Sequence, residues 1–157
     1  MTDPDYKLLD SQLRALLADE TDALACASNF VALLYNAMDD INWLGIYVSR
    51  GDELVLGPFQ GKPACVHIDI GSGVCGTAAA TLQTQRVADV HQFEGHIACD
   101  ADSRSELVVP LISNGQLIGV LDIDSPTPGR FTETDQLCVE KLCATFCELQ
   151  GSRNSFI

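Results

Sequence analysis

The stretch ELVVPLISNGQLIGVLDID, Glu106 to Asp124, reads as two strands folded about a tight turn. Both halves are rich in β-branched and aliphatic residues. Between them, Ser113-Asn114-Gly115 carries Asn-Gly, the pair best suited to positive φ at both central positions of a hairpin turn. Two adjacent antiparallel strands follow. Asp122 and Asp124 are two apart, so both carboxylates leave one face of the second strand while Leu121 and Ile123 leave the other. Plain exposure would explain the acidic face as well as a site would, because antiparallel sheets often turn one face to water.

Register decides whether Glu106 joins the two aspartates. With Asn114-Gly115 as a strict two-residue turn and a regular ladder, Ser113 pairs with Gln116 and Glu106 falls opposite Ile123, on the apolar face. A bulge near Pro110, or a three-residue loop, shifts the pairing by one residue and sets Glu106 opposite Asp122 or Asp124. Three gathered carboxyls do not all ionise freely, since like charges at close range raise at least one pKa. Such a cluster holds an acid near neutrality and attracts an ammonium group.

Outward from the hairpin the periods are clear. Tyr6 to Glu20 carries Leu8, Leu9, Leu13, Leu16 and Leu17 on a helical stripe, and Asp22 to Met38 is a helix apolar over a wider arc. INWLGIYVSR and ELVLGPFQG form a hairpin around Gly51-Asp52, and CVHIDI (Cys65 to Ile70) alternates as a third strand. GSGVCGTAAATLQ opens a short helix, and QRVADV is a brief strand. The aperiodic run from His91 to Ser105 is long enough to be functional. SPTPGR then leads to a terminal helix with Thr132 as its N-cap. This order predicts a single α+β domain over residues 1–157: helices in 1–40, the sheet and its loops in 41–130, and a helix in 131–150.

Composition narrows the function. The 157 residues, 46% hydrophobic, fit one domain with a proper core. Nine basic against 22 acidic residues give a net charge of -13, which repels phosphate backbones and anionic lipid heads, so neither nucleic acid nor membrane is an expected partner. No run approaches the roughly 18 apolar residues of a membrane span, and no signal-like N-terminus is seen; a cytoplasmic location is expected. Seven cysteines are an odd number with no CxxC pair, which speaks for reduced thiols with chemistry rather than a disulfide framework or a zinc motif. Cys138, Cys143 and Cys147 lie among apolar helical residues, where cysteine packs as a small hydrophobe. Cys65, Cys75 and Cys99 sit at strand ends, turns or loops instead. Cys99 lies in GHIACDADSRSE, with His96 and Arg104 as the nearby cationic groups.

The runs GSGVCGTAAA, ADV, HIACDADSRSE, LVVPL, NGQLIGVLDIDS and RFTETD closely resemble the free methionine-(R)-sulfoxide reductases, single-domain enzymes with a GAF fold. The resemblance covers the chain from about Asn42 onward. It implies Cys99 as the catalytic cysteine, Cys65 as its usual resolving partner and Cys75 as a third cysteine with an alternative resolving role. Glu106, Asp122 and Asp124 match the acids that contact the sulfoxide oxygen and amino group, and Trp43 and Tyr47 match the aromatics that hold the methyl end. The implied reaction needs no metal or organic cofactor. Free methionine sulfoxide is the implied substrate and thioredoxin the reductant, and because the family is often dimeric a homodimer is among the expectations. The alternatives are a GAF module that binds a small molecule without catalysis, and a redox sensor using a Cys65–Cys99 disulfide.

Overall fold

In the computed structural model, residues 3–96 and 101–150 are described. The chain runs α1 (Tyr6–Leu17), α2 (Ala23–Ala37), β1 (Trp43–Arg50), β2 (Glu53–Gln60), β3 (His67–Asp69), α3 (Gly73–Thr81), β4 (Gln85–Val87), β5 (Ser105–Ser113), β6 (Gln116–Ser125) and α4 (Glu133–Gln150). The strands form one six-stranded sheet in the order β3-β2-β1-β6-β5-β4. Every pairing is antiparallel. The fold is α+β, as the element order predicts.

Alternation along the strands splits the core in two. Leu44, Ile46, Val48, Leu107, Val109, Leu111, Leu121 and Ile123 point to the face covered by α1, α2 and α4. Trp43, Tyr47, Val108 and Val120 point to the opposite face, where α3 and the β2–β3 connection cover them. The acidic face of β6 therefore does not look into water: Glu106 and Asp122 are each 6% exposed and Asp124 9%.

Helix ends follow their capping residues. Asp5 accepts from the Leu8 N–H and Asp22 from the Ala25 N–H. At α4, Thr132 Oγ1 accepts from the Asp135 N–H and the Asp135 carboxylate accepts from the Thr132 N–H, a complete capping box. Three segments are shorter than their sequence periods predict. Helix α1 stops at Leu17, after which Glu20 turns back to accept from the N–H groups of Thr21 and Asp22. The strand predicted over residues 65–70 keeps only His67–Asp69, and QRVADV only Gln85–Val87 before a 3₁₀ turn at Val90–Gln92. Both are edge strands with one partner each, and short edges limit unwanted pairing.

Candidate active site

The turn at the tip of β5–β6 is the strict two-residue form: Ser113 pairs with Gln116, and Asn114 (φ 52°) and Gly115 (φ 76°) both take the left-handed conformation. Ile112 pairs with Leu117, but Leu111 pairs with Gly119, so Ile118 is surplus. This bulge, beside Pro110, moves the ladder by one residue and brings Glu106 opposite Asp124. Glu106 therefore joins the aspartates on one face.

Cross-strand rows then assemble the site. Trp43 of β1 lies beside Asp124, which lies beside Glu106, and in the next row Gly45 lies beside Asp122. A Cβ on Gly45 would sit 2.5 Å from the Phe59 Cβ and from the Trp43 ring. That missing side chain lets Trp43 stack on Phe59 at 5.4 Å and on Tyr47 at 5.8 Å between ring centroids. Both polar tips are tied to the β2–β3 connection: Trp43 Nε1 donates to the Lys62 carbonyl at 3.0 Å, and Tyr47 OH to the Cys65 carbonyl at 3.0 Å. The aromatic pair is held rigidly, as a surface for an apolar group requires.

Trp43, Tyr47, Glu106, Asp122 and Asp124 line one pocket with Cys75 and the start of α3 (Ser72, Gly73, Val74), His96 and Ser103. Gly76 lets α3 begin there, because a Cβ would meet the Asp69 carbonyl oxygen at 2.6 Å. The Ser72 side chain makes no capping bond, so first-turn N–H groups remain for solvent or for an anionic ligand group.

Charge in the pocket is held back. Burial, and then repulsion from Asp122 and Asp124, pushes Glu106 well above the ordinary carboxylate range. Burial also raises Asp122, which bonds to Glu106 and Cys75 oppose. Both carboxyls are therefore harder to ionise than free ones, and their titrations are linked. Cys75 is buried, and its thiol donates to Glu106 Oε1 at 3.9 Å. Burial and the neighbouring Asp122, Glu106 and Asp124 raise its pKa well above the usual thiol value, so it is a proton donor rather than a thiolate. Burial, and then the neighbouring His91, lowers the pKa of His96.

Among the sequence-derived candidates, Trp43, Tyr47, Cys75, Glu106, Asp122 and Asp124 meet in this pocket. Cys65 accepts from Tyr47 OH through its carbonyl and is disulfide-bonded, whereas Cys75, Cys138, Cys143 and Cys147 are free. Cys99 lies outside the described residues, as does Asp100. Asp102 is 59% exposed at its side chain and pairs with Lys62. Sequence reasoning did not find Phe59, Gly45 or Ser103. The first two become visible only once β1 and β2 are paired, and Ser103 sits in a stretch with no period.

The pocket's class is set by the fold around it: residues 9–149 match the GAF domain. Over 139 residues the chain is 56% identical to the free methionine-R-sulfoxide reductase of Escherichia coli (strain K12), covering 88% of this chain and 84% of that one. It superposes with a TM-score of 0.88 on the free methionine-R-sulfoxide reductase from Neisseria meningitidis in complex with its substrate, at 44% identity over 92% of this chain and 87% of that one. It superposes at 0.92 on fRMsr of Staphylococcus aureus in complex with substrate, with 49% identity over 96% and 99% of the two chains. The chain belongs to the free methionine-R-sulfoxide reductase family. Among the described residues no helix is long and apolar enough to cross a membrane.

Proposed function

We propose that this protein reduces free methionine-(R)-sulfoxide to methionine. The observation that carries the proposal is the buried Glu106–Asp122 pair with Asp124, gathered beside a fixed aromatic wall. A free amino-acid sulfoxide presents an ammonium group, a leaving oxygen and a methyl group, and the pocket offers a counterpart to each. Trp43 and Tyr47 receive the methyl end, the ionised members of the acid cluster hold the ammonium, and Glu106 delivers a proton to the oxygen.

In the reaction we assign, the Cys99 thiolate attacks the sulfoxide sulfur and the oxygen passes to Cys99 as it is protonated. Methionine leaves and Cys99 becomes a sulfenic acid, a two-electron oxidation. The Cys65 thiol then attacks that sulfur, water departs, and a disulfide forms. An external dithiol, with thioredoxin the expected donor, reduces it by exchange. In support, Cys65 is disulfide-bonded while Cys75 is free. That favours Cys65 over Cys75 for the resolving role and leaves Cys75 as a donor to the acid cluster. The buried free thiols suit a reducing, cytoplasmic setting. A homodimer remains an expectation for light scattering to check.

The test is thioredoxin-coupled turnover with each epimer of free methionine sulfoxide and with peptide-bound sulfoxide. Only the free R epimer should turn over, and Cys99→Ser should lose activity by more than about 10³-fold. Activity surviving in Cys99→Ser would remove the nucleophile assignment. Cys65→Ser should release about one methionine per chain in a single turnover and then stall; full recycling would return the resolving role to Cys75.

A further inference from the structure

One sulfur and two carboxylate oxygens, from Cys75, Glu106 and Asp122, lie mutually within 4.8 Å, and all three residues are buried. Cys75 Sγ is 3.9 Å from Glu106 Oε1. A tetrahedral zinc ion with Zn–S about 2.3 Å and Zn–O about 2.0 Å spaces such a pair roughly 3.5 Å apart, so a contraction of a few tenths of an ångström seats an ion between them. A second observation points the same way. Asp122 is 6% exposed, lines the pocket, and has an Oδ1 with no hydrogen-bond partner. Buried carboxylate oxygens are rarely left so unless something reaches them. The cavity of about 40 Å³ has room for an ion and a completing water.

We propose that Cys75, Glu106 and Asp122 form a binding site for a thiophilic divalent cation of the Zn²⁺ class, and that its occupancy excludes substrate from the pocket. One thiolate and two carboxylates suit zinc, cadmium or cobalt. Magnesium and calcium seek six or more oxygens and gain nothing from sulfur. Three protein ligands leave a fourth position for water, which makes the site open rather than structural. On binding, the Cys75 thiol and any protonated carboxyl release their protons to solvent; no electrons move. Cys75 is free while Cys65 is disulfide-bonded, so the site persists when the Cys65 disulfide is present. The exclusion of substrate rests on the function proposed above, whereas ion binding does not.

The experiment uses the metal-free, oxidised full chain titrated with Cd²⁺, followed by calorimetry and by the ultraviolet thiolate-to-metal charge-transfer band. We expect one ion per chain, with the band lost in Cys75→Ser and binding weakened at least about tenfold in Glu106→Gln and Asp122→Asn. The two carboxyl variants keep the thiol and the side-chain shape, so they report on the site if Cys75→Ser folds poorly. Mg²⁺ should leave the signal unchanged. An undiminished band in Cys75→Ser, unchanged affinity in both carboxyl variants, or no binding below about 100 µM Cd²⁺ would overturn the site. In the turnover assay, Zn²⁺ should raise the apparent KM and leave the maximal rate unchanged. Binding without such competition would overturn the exclusion, and binding by a chain that turns over no sulfoxide would keep the site while removing the proposed function.

Discussion

Asp135 and the Glu106–Asp122 pair are carboxyl groups taken out of water, and they end in opposite states. Asp135, 1% exposed, accepts from Tyr6 OH at 2.7 Å, the Thr132 N–H at 2.9 Å, Thr132 Oγ1 at 3.1 Å and Arg130 Nη1 at 3.1 Å. Burial pushes its pKa up, yet these donors together hold it below the ordinary range. Glu106 and Asp122 make no salt bridge among the described residues, face each other and a thiol, and are driven upward. Burial alone does not set a carboxyl's charge; the donors around it do. Where the carboxylate joins α1, α4 and the Arg130 loop its donors are complete, and where it lines the pocket they are withheld.

The widest separation should come from neutralising each cluster. Asp135→Asn leaves Arg130 buried without its counter-charge and should destabilise the fold by about 3–5 kcal/mol in urea unfolding, with kcat per folded molecule unchanged. Asp122→Asn should reverse this, lowering kcat/KM by roughly 10²–10⁴-fold while stability at neutral pH holds or rises. Equal destabilisation by the two variants would break the comparison.

A pH series sharpens it. Glu106 has a folded pKa above its unfolded one, so the folded state binds more protons between the two values. The stability it contributes is fully present below the unfolded pKa, near 4.5, and is lost as pH rises through the folded pKa. Asp135 behaves oppositely: its contribution is present above the unfolded value of 3.8 and is lost as pH falls through the depressed folded one. Glu106→Gln should therefore raise Tm by about 2–4 °C more at pH 8 than at pH 5. The Asp135→Asn deficit should shrink only in strong acid. Next in size, Tyr6→Phe removes one bond to a charged group and should cost about 1.5–3 kcal/mol. Smallest is Lys62→Ala, which removes the exposed Asp102 pair and should change stability by less than about 1 kcal/mol, with even that vanishing in high salt.

The sequence showed the local half of this design. Alternation in WLGIYVSR and VLDID, the Asn-Gly turn and the Thr132 capping box each depend on near neighbours, and each is present. Two features depend on distant ones. The acidic face of β6 could equally have met water, because only α3 and the β2–β3 connection, remote in sequence, close over it. The surplus Ile118 looks no different from its neighbours, so the bulge was one option among several until the strands were paired. Spacing put Asp122 and Asp124 on one face, whereas Glu106 as their third member and Trp43 and Tyr47 as the aromatic pair were implied by the family resemblance. The bond from Cys75 to Glu106, and the Phe59 ring that props Trp43, were legible in neither, because both cross between elements.

The bulge at Ile118 also governs how this hairpin tolerates changes in length. A one-residue deletion at Ile118 removes the unmatched position, leaves a regular ladder, and keeps Glu106 opposite Asp124. The same deletion at Ile123 makes Asp122 and Asp124 neighbours, so that one of the two acids turns toward the apolar core. Relatives of different length should therefore be aligned with their gap at the bulge, and a relative that is regular there without being one residue shorter has rotated its acids out of the pocket.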